Sequence, residues 1–485
     1  MFRLSILFAL LMAWSAPALA QSNKPNIVVI LTDDQTEHMI TGRDAAGRPF
    51  MPFLMSKAPL ARRFDTAIFS QSLCCPSRTS LLTGMYPQNH GVLNNTGANG
   101  GYSRYMANGL DQKSWAKTLL PEYYTGMFGK FLNGYIDPAS VPMGWLRWYA
   151  LYAGAANMFN WSASHNGKAV TFRGSTDTTY STNVLANLLS TTLKQQATLQ
   201  KPFAFLFSPV APHLPAIPAK EFTGLYASEP FAPGLKPSFN EADVADKPRY
   251  VRATARLSPE QRGAMDRKWR RMLESGRSID KAIKTIWNTL EASGQLANTY
   301  IIFASDNGYL WGEHRLMHKV APYRESIKST MLIWGPGVVP GIDHRIVTNA
   351  DLMPTFMEIA GKPIPGWVDG RSLLPLLQGG SPAWRQQLLV HGIPPIDREG
   401  GALDTTGSEF LAIATRWWTF VQYSGETEFY DLRTDPYELS NAAASLAPAV
   451  VSGMLQRIDE LHACAGVACK TVEDGAPPAT PSFDR

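Results

Sequence analysis

Three unbroken apolar runs each lead directly into a polar cluster. Asn26-Ile27-Val28-Val29-Ile30-Leu31 runs into Thr32-Asp33-Asp34, and Phe203-Ala204-Phe205-Leu206-Phe207 runs into Ser208 and then Pro212-His213. Tyr300-Ile301-Ile302-Phe303-Ala304 runs into Ser305-Asp306-Asn307-Gly308. Without polar alternation, such runs predict strands covered on both faces, as in a mainly parallel sheet. Helical periodicity lies between them. It is clearest over 279–292, where Ile279, Ile283, Ile286 and Leu290 share a face and Gly294 follows as a stop. From about residue 366 Pro and Gly become frequent, and the stretches 410–414 and 417–421 predict a small antiparallel sheet. The expected class is α/β: a large, mostly parallel central sheet flanked by helices, with a smaller C-terminal α+β subdomain carrying an antiparallel sheet. The expected boundaries are a main domain over 21–365, the subdomain over 366–470, and a loose Pro-rich tail over 471–485.

Residues 1–20 read as a secretory signal: Arg3, an apolar stretch from Leu4 to Trp14, and the small-x-small site Ala18-Leu19-Ala20. A membrane anchor would need ~20 apolar residues, and Ser15 and Pro17 interrupt the run. Residue 21 is Gln, not Cys, which argues against a lipid anchor. The expectation is export to the periplasm or medium, with no stable membrane insertion. Losing that segment takes one Arg and no acid from a formal charge of +5. The remaining charge is too mild for a nucleic-acid protein and is compatible with an anionic substrate. Of four cysteines, Cys464 and Cys469 are candidates for a small-loop disulfide, whereas Cys74 and Cys75 are adjacent and would strain the backbone if joined. No Cys-x-x-Cys meets a His pair, which disfavours zinc.

In an open α/β sheet, ligands bind beyond the carboxyl ends of the strands. The three polar clusters sit at such ends, which gathers Asp33, Asp34, His213, Asp306 and Asn307 into one expected site. Any one cluster alone could merely cap a strand. Three carboxylates and an amide oxygen favour Ca²⁺ or Mg²⁺ over zinc. Left close together, the carboxylates would repel one another without a cation.

The densest chemistry is Cys74-Cys75-Pro76-Ser77-Arg78, followed by Thr79-Ser80-Leu81-Leu82-Thr83-Gly84. Pro76 suits a helix start, which would set Cys74 at a helix N-terminus where backbone N–H groups favour an anion. On local chemistry alone this is an ordinary capped helix with a buried Cys. Taken with the rest of the chain, the segment resembles the type I sulfatases, the formylglycine-dependent branch of the alkaline phosphatase superfamily. The resemblance extends to Asp33-Asp34, Gly129-Lys130, Pro212-His213, Ser305-Asp306-Asn307-Gly308, Lys319 and the Tyr430-Asp431-Leu432…Asp435-Pro436 segment, in family order. Thr32-Asp33-Asp34-Gln35, Tyr86-Pro87-Gln88-Asn89-His90, Gly129-Lys130-Phe131-Leu132-Asn133 and the run from Arg267-Lys268-Trp269 to Asp280 look closest to the glucosamine-6-sulfatase and heparan endosulfatase branch.

The resemblance implies that Cys74 is converted to Cα-formylglycine by a dedicated maturation enzyme. It implies that Asp33, Asp34, Asp306, Asn307 and the modified Cys74 hold a divalent cation, most often calcium, with magnesium the alternative. Arg78 would orient the aldehyde hydrate. Lys130, His213 and Lys319 would grip the sulfate, with His213 or Lys319 protonating the leaving alcohol, and a sulfated enzyme would form and then eliminate sulfate. Loss of the second hydroxyl proton lets a geminal diol expel that last ester and restore the aldehyde, whereas an ordinary Ser or Cys would need water to cleave it. The expected substrate is a sulfate ester of a carbohydrate or an aryl alcohol.

One departure is Leu132, where many arylsulfatases carry a His that deprotonates the hydrate. His90 is a candidate replacement or a support. His318 could contact substrate or lie on the surface, and His391 reads as structural. Trp145, Trp148 and Trp161 either shape a sugar pocket or belong to the core. The basic stretch 249–271 reads first as a solvated face and second as a glycan contact. Two rival functions share these residues: a phosphonate monoester or phosphodiester hydrolase of the same superfamily, and a non-catalytic sulfated-glycan-binding relative.

Overall fold

Strand β1 (Asn26–Thr32) is buried along its whole length, and its alternate residues enter two different cores. Ile27, Val29 and Leu31 join one apolar cluster, Val28 and Ile30 the other. A strand covered on both faces has no solvent side on which to alternate, so its sequence reads as an unbroken apolar run. Its five apolar side chains gain about 1.5–3 kcal/mol each on burial, enough to offset placing charged residues at its end. The computed structural model describes residues 24–152, 157–199, 201–393 and 409–479. The expected export segment, 1–20, lies outside them.

In chain order β1 is followed by β2 (Arg62–Ile68), β3 (Tyr124–Gly129), β4 (Arg147–Leu151), β5 (Trp161–His165) and β6 (Lys168–Phe172). Then come β7 (Phe203–Ser208), β8 (Thr299–Ser305), the short pair β9 (Leu310–Trp311) and β10 (Met317–His318), β11 (Lys328–Trp334) and β12 (Gly341–Asp343). All but β9 and β10 form one ten-stranded sheet in the order β12-β2-β11-β8-β1-β7-β3-β4-β5-β6. The centre, β8-β1-β7-β3-β4, is parallel, and antiparallel strands flank it on both sides. Register puts Thr32 opposite Ser305 and Gly129 opposite Ser208, so the polar clusters after β1, β3, β7 and β8 emerge along one edge. A separate antiparallel sheet runs β13 (Gln387–Gly392), β14 (Phe410–Thr415), β15 (Trp418–Gln422), β16 (Thr427–Asp431). Mostly parallel centre and small antiparallel sheet are the expected architecture.

Helix Ser181–Leu199 and helix Pro259–Ala292 cover one face of the large sheet through Leu185, Leu189, Leu193, Ile279, Ile283 and Leu290. The second helix begins twenty residues before the stretch that periodicity marked. Its true start is a capping box, Ser258 with Gln261 and Pro259 between, and Met265, Trp269, Met272 and Leu273 continue the buried stripe toward it. Lys and Arg crowd these first turns and mask the period. Arg262, Arg267 and Arg271 are exposed, the solvated face that was the first reading of this stretch. Trp145, Trp148 and Trp161 are buried among core residues, so they do not shape a sugar pocket. No helix among the described residues is long and apolar enough to cross a membrane.

The expectation of a loose tail from residue 471 fails over its first residues. Helix Val467–Asp474 crosses that boundary, and Glu473 is fully buried. Its carboxylate takes Arg371 Nη2 at 2.7 Å and Arg385 Nε at 2.9 Å. Arg385 also grips Asp351, so the last helix is tied to the turn Asn349–Asp351 through charges that composition does not reveal. A disulfide joins Cys464, just ahead of that helix, to Cys469 in its first turn. Breaking one partner of a buried ion network costs about 3–5 kcal/mol. Glu473→Ala is expected to lose about that much in denaturant unfolding, and an unchanged midpoint would show that the helix is not held this way.

Candidate active site

Helix Cys74–Thr83 is buried at every residue and starts at Cys74 itself, with Leu73 as N-cap. This is two residues earlier than a start at Pro76 would give. Arg78 lies one turn on, 2% exposed, and reaches four groups from four strand ends. Its Nε donates to Asp306 Oδ2 at 2.8 Å, and Nη1 donates to Lys130 O and Ser208 Oγ, each at 2.8 Å. Nη2 stands 3.5 Å from Asp33 Oδ2.

Around the Cys74 sulfur lie Lys319 Nζ at 2.9 Å, Lys130 Nζ at 3.5 Å and Asp33 Oδ1 at 3.5 Å. Lys130 pairs with Asp33 Oδ2 and Lys319 with Asp34 Oδ1, both at 2.6 Å. His213 Nε2 is 3.5 Å from Asp34 Oδ2. Its Nδ1 faces Leu214 O at 2.6 Å, a partner that can only accept, so Nδ1 carries a proton and Nε2 is the nitrogen turned toward Asp34. Asn307 Nδ2 donates to Asp34 Oδ1 at 2.6 Å. All nine residues singled out at the strand ends and on the helix therefore converge.

Two glycines are required by this convergence. A Cβ at Gly129 would lie 1.9 Å from Ser208 O, and that residue has φ 125°, so β3 can hand Lys130 to the site only through glycine. A Cβ at Gly308 would meet Glu325 O at 2.1 Å. Asp34 itself takes φ 60°, which a short polar side chain tolerates, and its N–H donates to Asp306 Oδ1 at 3.1 Å.

The charges are balanced inside the chain: Asp33, Asp34 and Asp306 face Arg78, Lys130 and Lys319. Repulsion among the carboxylates is therefore no argument for a metal, contrary to the expectation from sequence. Burial raises the Asp33 carboxyl, but Lys130, His213, Arg78 and Lys319 outweigh it and hold the group well below the usual range. Asp306 is pushed up to about 6, by burial first and then by Asp33, against the pull of Arg78. Burial drives the Cys74 thiol well above its ordinary value despite the two lysines, so an unmodified Cys74 stays protonated and is a poor nucleophile.

The donor set does fit a hard divalent cation. Donor atoms of Asp33, Asp34, Cys74 and His213 lie within 4.8 Å of one another. Asn307 Oδ1 is buried without a hydrogen-bond partner, while its Nδ2 is satisfied by Asp34 and Gly308. A buried amide oxygen left without a donor is unusual and suits a cation ligand. Asp306 stands outside the four-atom group, its two oxygens already given to Asp34 N and Arg78.

The remaining histidines separate cleanly. His90 is buried, its Nδ1 accepting from Val92 N at 3.0 Å and its Nε2 3.2 Å from Ser80 Oγ. Burial lowers it to about 3, so it is a neutral support of the helix, not a base. Leu132 packs in the core and offers no base either. His318 lies beside Lys319 with Nδ1 2.9 Å from Tyr309 Oη. His391 is buried on β13, its N–H on Ser70 O, as the structural reading held. Sequence reasoning missed the supports Asn95, Asn349 and Ser72. Asn95 Oδ1 accepts from Cys75 N, and Asn349 donates to Ser77 Oγ. Isolated polar residues in loops carry no spacing signal.

The sulfatase family model matches residues 25–362. The chain belongs to the sulfatase family. A second model, N-sulphoglucosamine sulphohydrolase C-terminal, matches residues 312–463 of this sulfatase. N-acetylglucosamine-6-sulfatase of Homo sapiens is 30% identical over 500 residues, 93% of this chain and 87% of that one. The extracellular sulfatase SULF-1 homolog of Drosophila melanogaster is 33% identical over 364 residues, 74% of this chain and 32% of that one. The resemblance to the glucosamine-6-sulfatase and endosulfatase branch therefore holds, and the enzyme is a sulfuric ester hydrolase. Among solved structures, a protein in complex with its substrate D-glucosamine-2-N,6-O-disulfate superposes with TM-score 0.71 at 23% identity, covering 94% of this chain and all of that one. A phosphonate monoester hydrolase from Silicibacter pomeroyi gives TM-score 0.67 at 20% identity over 89% of this chain and 93% of that one. Both likenesses establish the alkaline phosphatase-like fold.

Arg78→Ala leaves Asp33 and Asp306 facing each other in a buried site, and a loss of about 3–5 kcal/mol is expected in denaturant unfolding. Arg78→Lys restores only part, since one ammonium cannot meet acceptors on four strand ends at once. Full recovery by Lys would show that charge alone matters there.

Proposed function

We propose that this sulfatase is exported and removes sulfate from a sulfated amino sugar or glycosaminoglycan fragment. It acts through a formylglycine made from Cys74 by a maturation enzyme and depends on a divalent cation, calcium. The observation that carries the reading is the pair of ammonium groups, Lys319 and Lys130, standing 2.9 and 3.5 Å from the Cys74 sulfur at the start of a buried helix. Beyond balancing Asp33 and Asp34, such a cradle suits an oxyanion bound over residue 74, which a buried thiol that stays protonated is not.

In this reading the hydrated aldehyde supplies a geminal diol that can both attack sulfur and later release sulfate, and the cation offsets charge on the sulfate oxygens. Asp33, Asp34, Asp306 and Asn307 are its proposed holders together with residue 74, Asp306 partly through the orientation it gives Asp34. Lys130 and Lys319 hold the sulfate oxygens, as point charges aimed at the group in flight. His213, its Nδ1–H fixed on Leu214 O, presents Nε2 to the departing alcohol and, as the imidazolium facing Asp34, donates its Nε2 proton there and is left neutral. Arg78 keeps Asp33 and Asp306 apart and aligned. Export is supported by the leader-like residues 1–20 and by relatives named as extracellular sulfatases. The glucosamine-type substrate is supported by relatives named N-acetylglucosamine-6-sulfatase.

Protein from its native host should give a Cys74 peptide lacking sulfur and two hydrogens and carrying one extra oxygen, by mass spectrometry. Cys74→Ala should lower kcat on an aryl sulfate by about 10³-fold or more, the scale of losing a nucleophile. An intact thiol at position 74, or retained turnover, overturns the mechanism. Preference for an aryl phosphodiester over the aryl sulfate would favour the hydrolase relatives instead.

Calcium at about a hundred times its dissociation constant should stabilise the fold by about 2.7 kcal/mol, read as a rise in Tm that chelation reverses. Asn307→Ala should abolish most of that rise. An equal rise in the variant would remove Asn307 from the ligand set.

A further inference from the structure

The segment Glu428-Phe429-Tyr430-Asp431-Leu432, conspicuous in the sequence, lies outside the site, on β16 of the small sheet. Its Glu428 side chain is fully buried and collects three tyrosine hydroxyls. Oε1 accepts from Tyr323 at 2.9 Å and from Tyr430, and Oε2 accepts from Tyr423 at 2.7 Å. Tyr430 and Tyr423 belong to the small sheet and its turn. Tyr323 belongs to the main domain, four residues beyond Lys319.

The stretch around Lys319 is held in a costly conformation. His314, Arg315, His318 and Val320 have φ of 53°, 65°, 72° and 65°, a region that non-glycine residues rarely enter and a β-branched valine least of all. Such strain persists only where the surroundings impose it. Two anchors do so. On the near side, Val320 N donates to Ser72 Oγ at 3.2 Å, two residues before Cys74, and Ser72 Oγ lies 2.9 Å from Ser326 Oγ. On the far side, Tyr323 Oη is fixed on Glu428. Its ring is stacked on His314 with centroids 4.0 Å apart, and Arg324 N donates to Glu438 Oε2 at 2.9 Å.

We propose that Glu428 is a positioning residue for Lys319: through Tyr323 it clamps the strained segment so that the Lys319 ammonium stays on Asp34 and over residue 74. This rests on the reading that Lys319 acts on the sulfate. The small sheet is then a working part of the site, supplying from outside the large sheet the anchor that the lysine segment lacks in its own sequence.

Tyr423→Phe is the control, because it removes a hydroxyl from the same carboxylate without touching the Lys319 segment. On an aryl sulfate, Tyr323→Phe should lower kcat by about 10-fold to 100-fold, the scale of a small misplacement at a reacting centre, with KM nearly unchanged. Tyr423→Phe should keep kcat near wild type while lowering Tm by a similar amount. Glu428→Gln should repeat the Tyr323→Phe loss, and the double variant should lose no more than either alone. Equal kcat losses in the two tyrosine variants, wild-type kcat in Tyr323→Phe, or additive losses in the double variant would each overturn the inference. Should Glu428→Gln fail to fold, the tyrosine pair still decides. A wild-type enzyme inactive on every sulfate ester would instead sink the functional reading beneath it.

Discussion

The guanidinium of Arg78, lodged between Asp33 and Asp306, is the contact on which the site depends. It is made by the helix that carries Cys74 and received by the ends of β1, β3, β7 and β8. Two unlike charges 4 Å apart attract by about 4 kcal/mol at an effective dielectric of 20. A fold's whole margin is about 5–15 kcal/mol. One misplaced charge in this cluster would therefore consume much of that margin, and the helix cannot slide or turn without exposing one. Register of the strands, placement of the helix and position of residue 74 are set by the same cation.

Lys130 and Lys319 extend that logic. Each pairs with a carboxylate at 2.6 Å and each also reaches the sulfur of residue 74, so they brace the acidic group and face the reaction position together. Neither requirement could relax without the other. Burial pushes both Asp33 and Asp306 upward, and the cations decide how far it is reversed: one carboxyl is held low and its neighbour is raised to about 6. Lys130 sits on Asp33, whereas Asp306 shares Arg78 and feels Asp33 as well.

Much of this was legible before any coordinates. Strands buried on both faces leave unbroken apolar runs, and at the carboxyl edge of a parallel sheet the polar residues that end those runs must meet, which brought Asp33, His213 and Asp306 together. Gly129 and Gly308 were legible as parts of motifs, though not as positions where any Cβ would strike a carbonyl. Most of the failures share a cause. The buried Glu473 and the supports Asn95 and Ser72 depend on partners tens to hundreds of residues away, which no local period encodes, whereas the long helix starts at a local capping box whose charged first turns mask the apolar period. The argument that the carboxylates needed a metal failed in the same way, because it counted the acids at the strand ends and not the lysines that fold in between them.

Strain and charge gather at one edge of this molecule. Asp34, His314, Arg315, His318 and Val320 all take positive φ there, beside three buried ion pairs, while the central strands of the large sheet run through two apolar cores. Conformations costing about 1–3 kcal/mol each could not survive in a segment free to relax. Fixed partners hold them: Asp34 is fastened to Asp306 at the end of β8, Val320 to Ser72 ahead of the site helix, and His314 stacks on Tyr323, itself fixed on a carboxylate inside the second sheet. A lone parallel sheet could have supplied the first two anchors. The third comes from the small antiparallel sheet, which is a physical reason for that sheet to lie against the Lys319 segment.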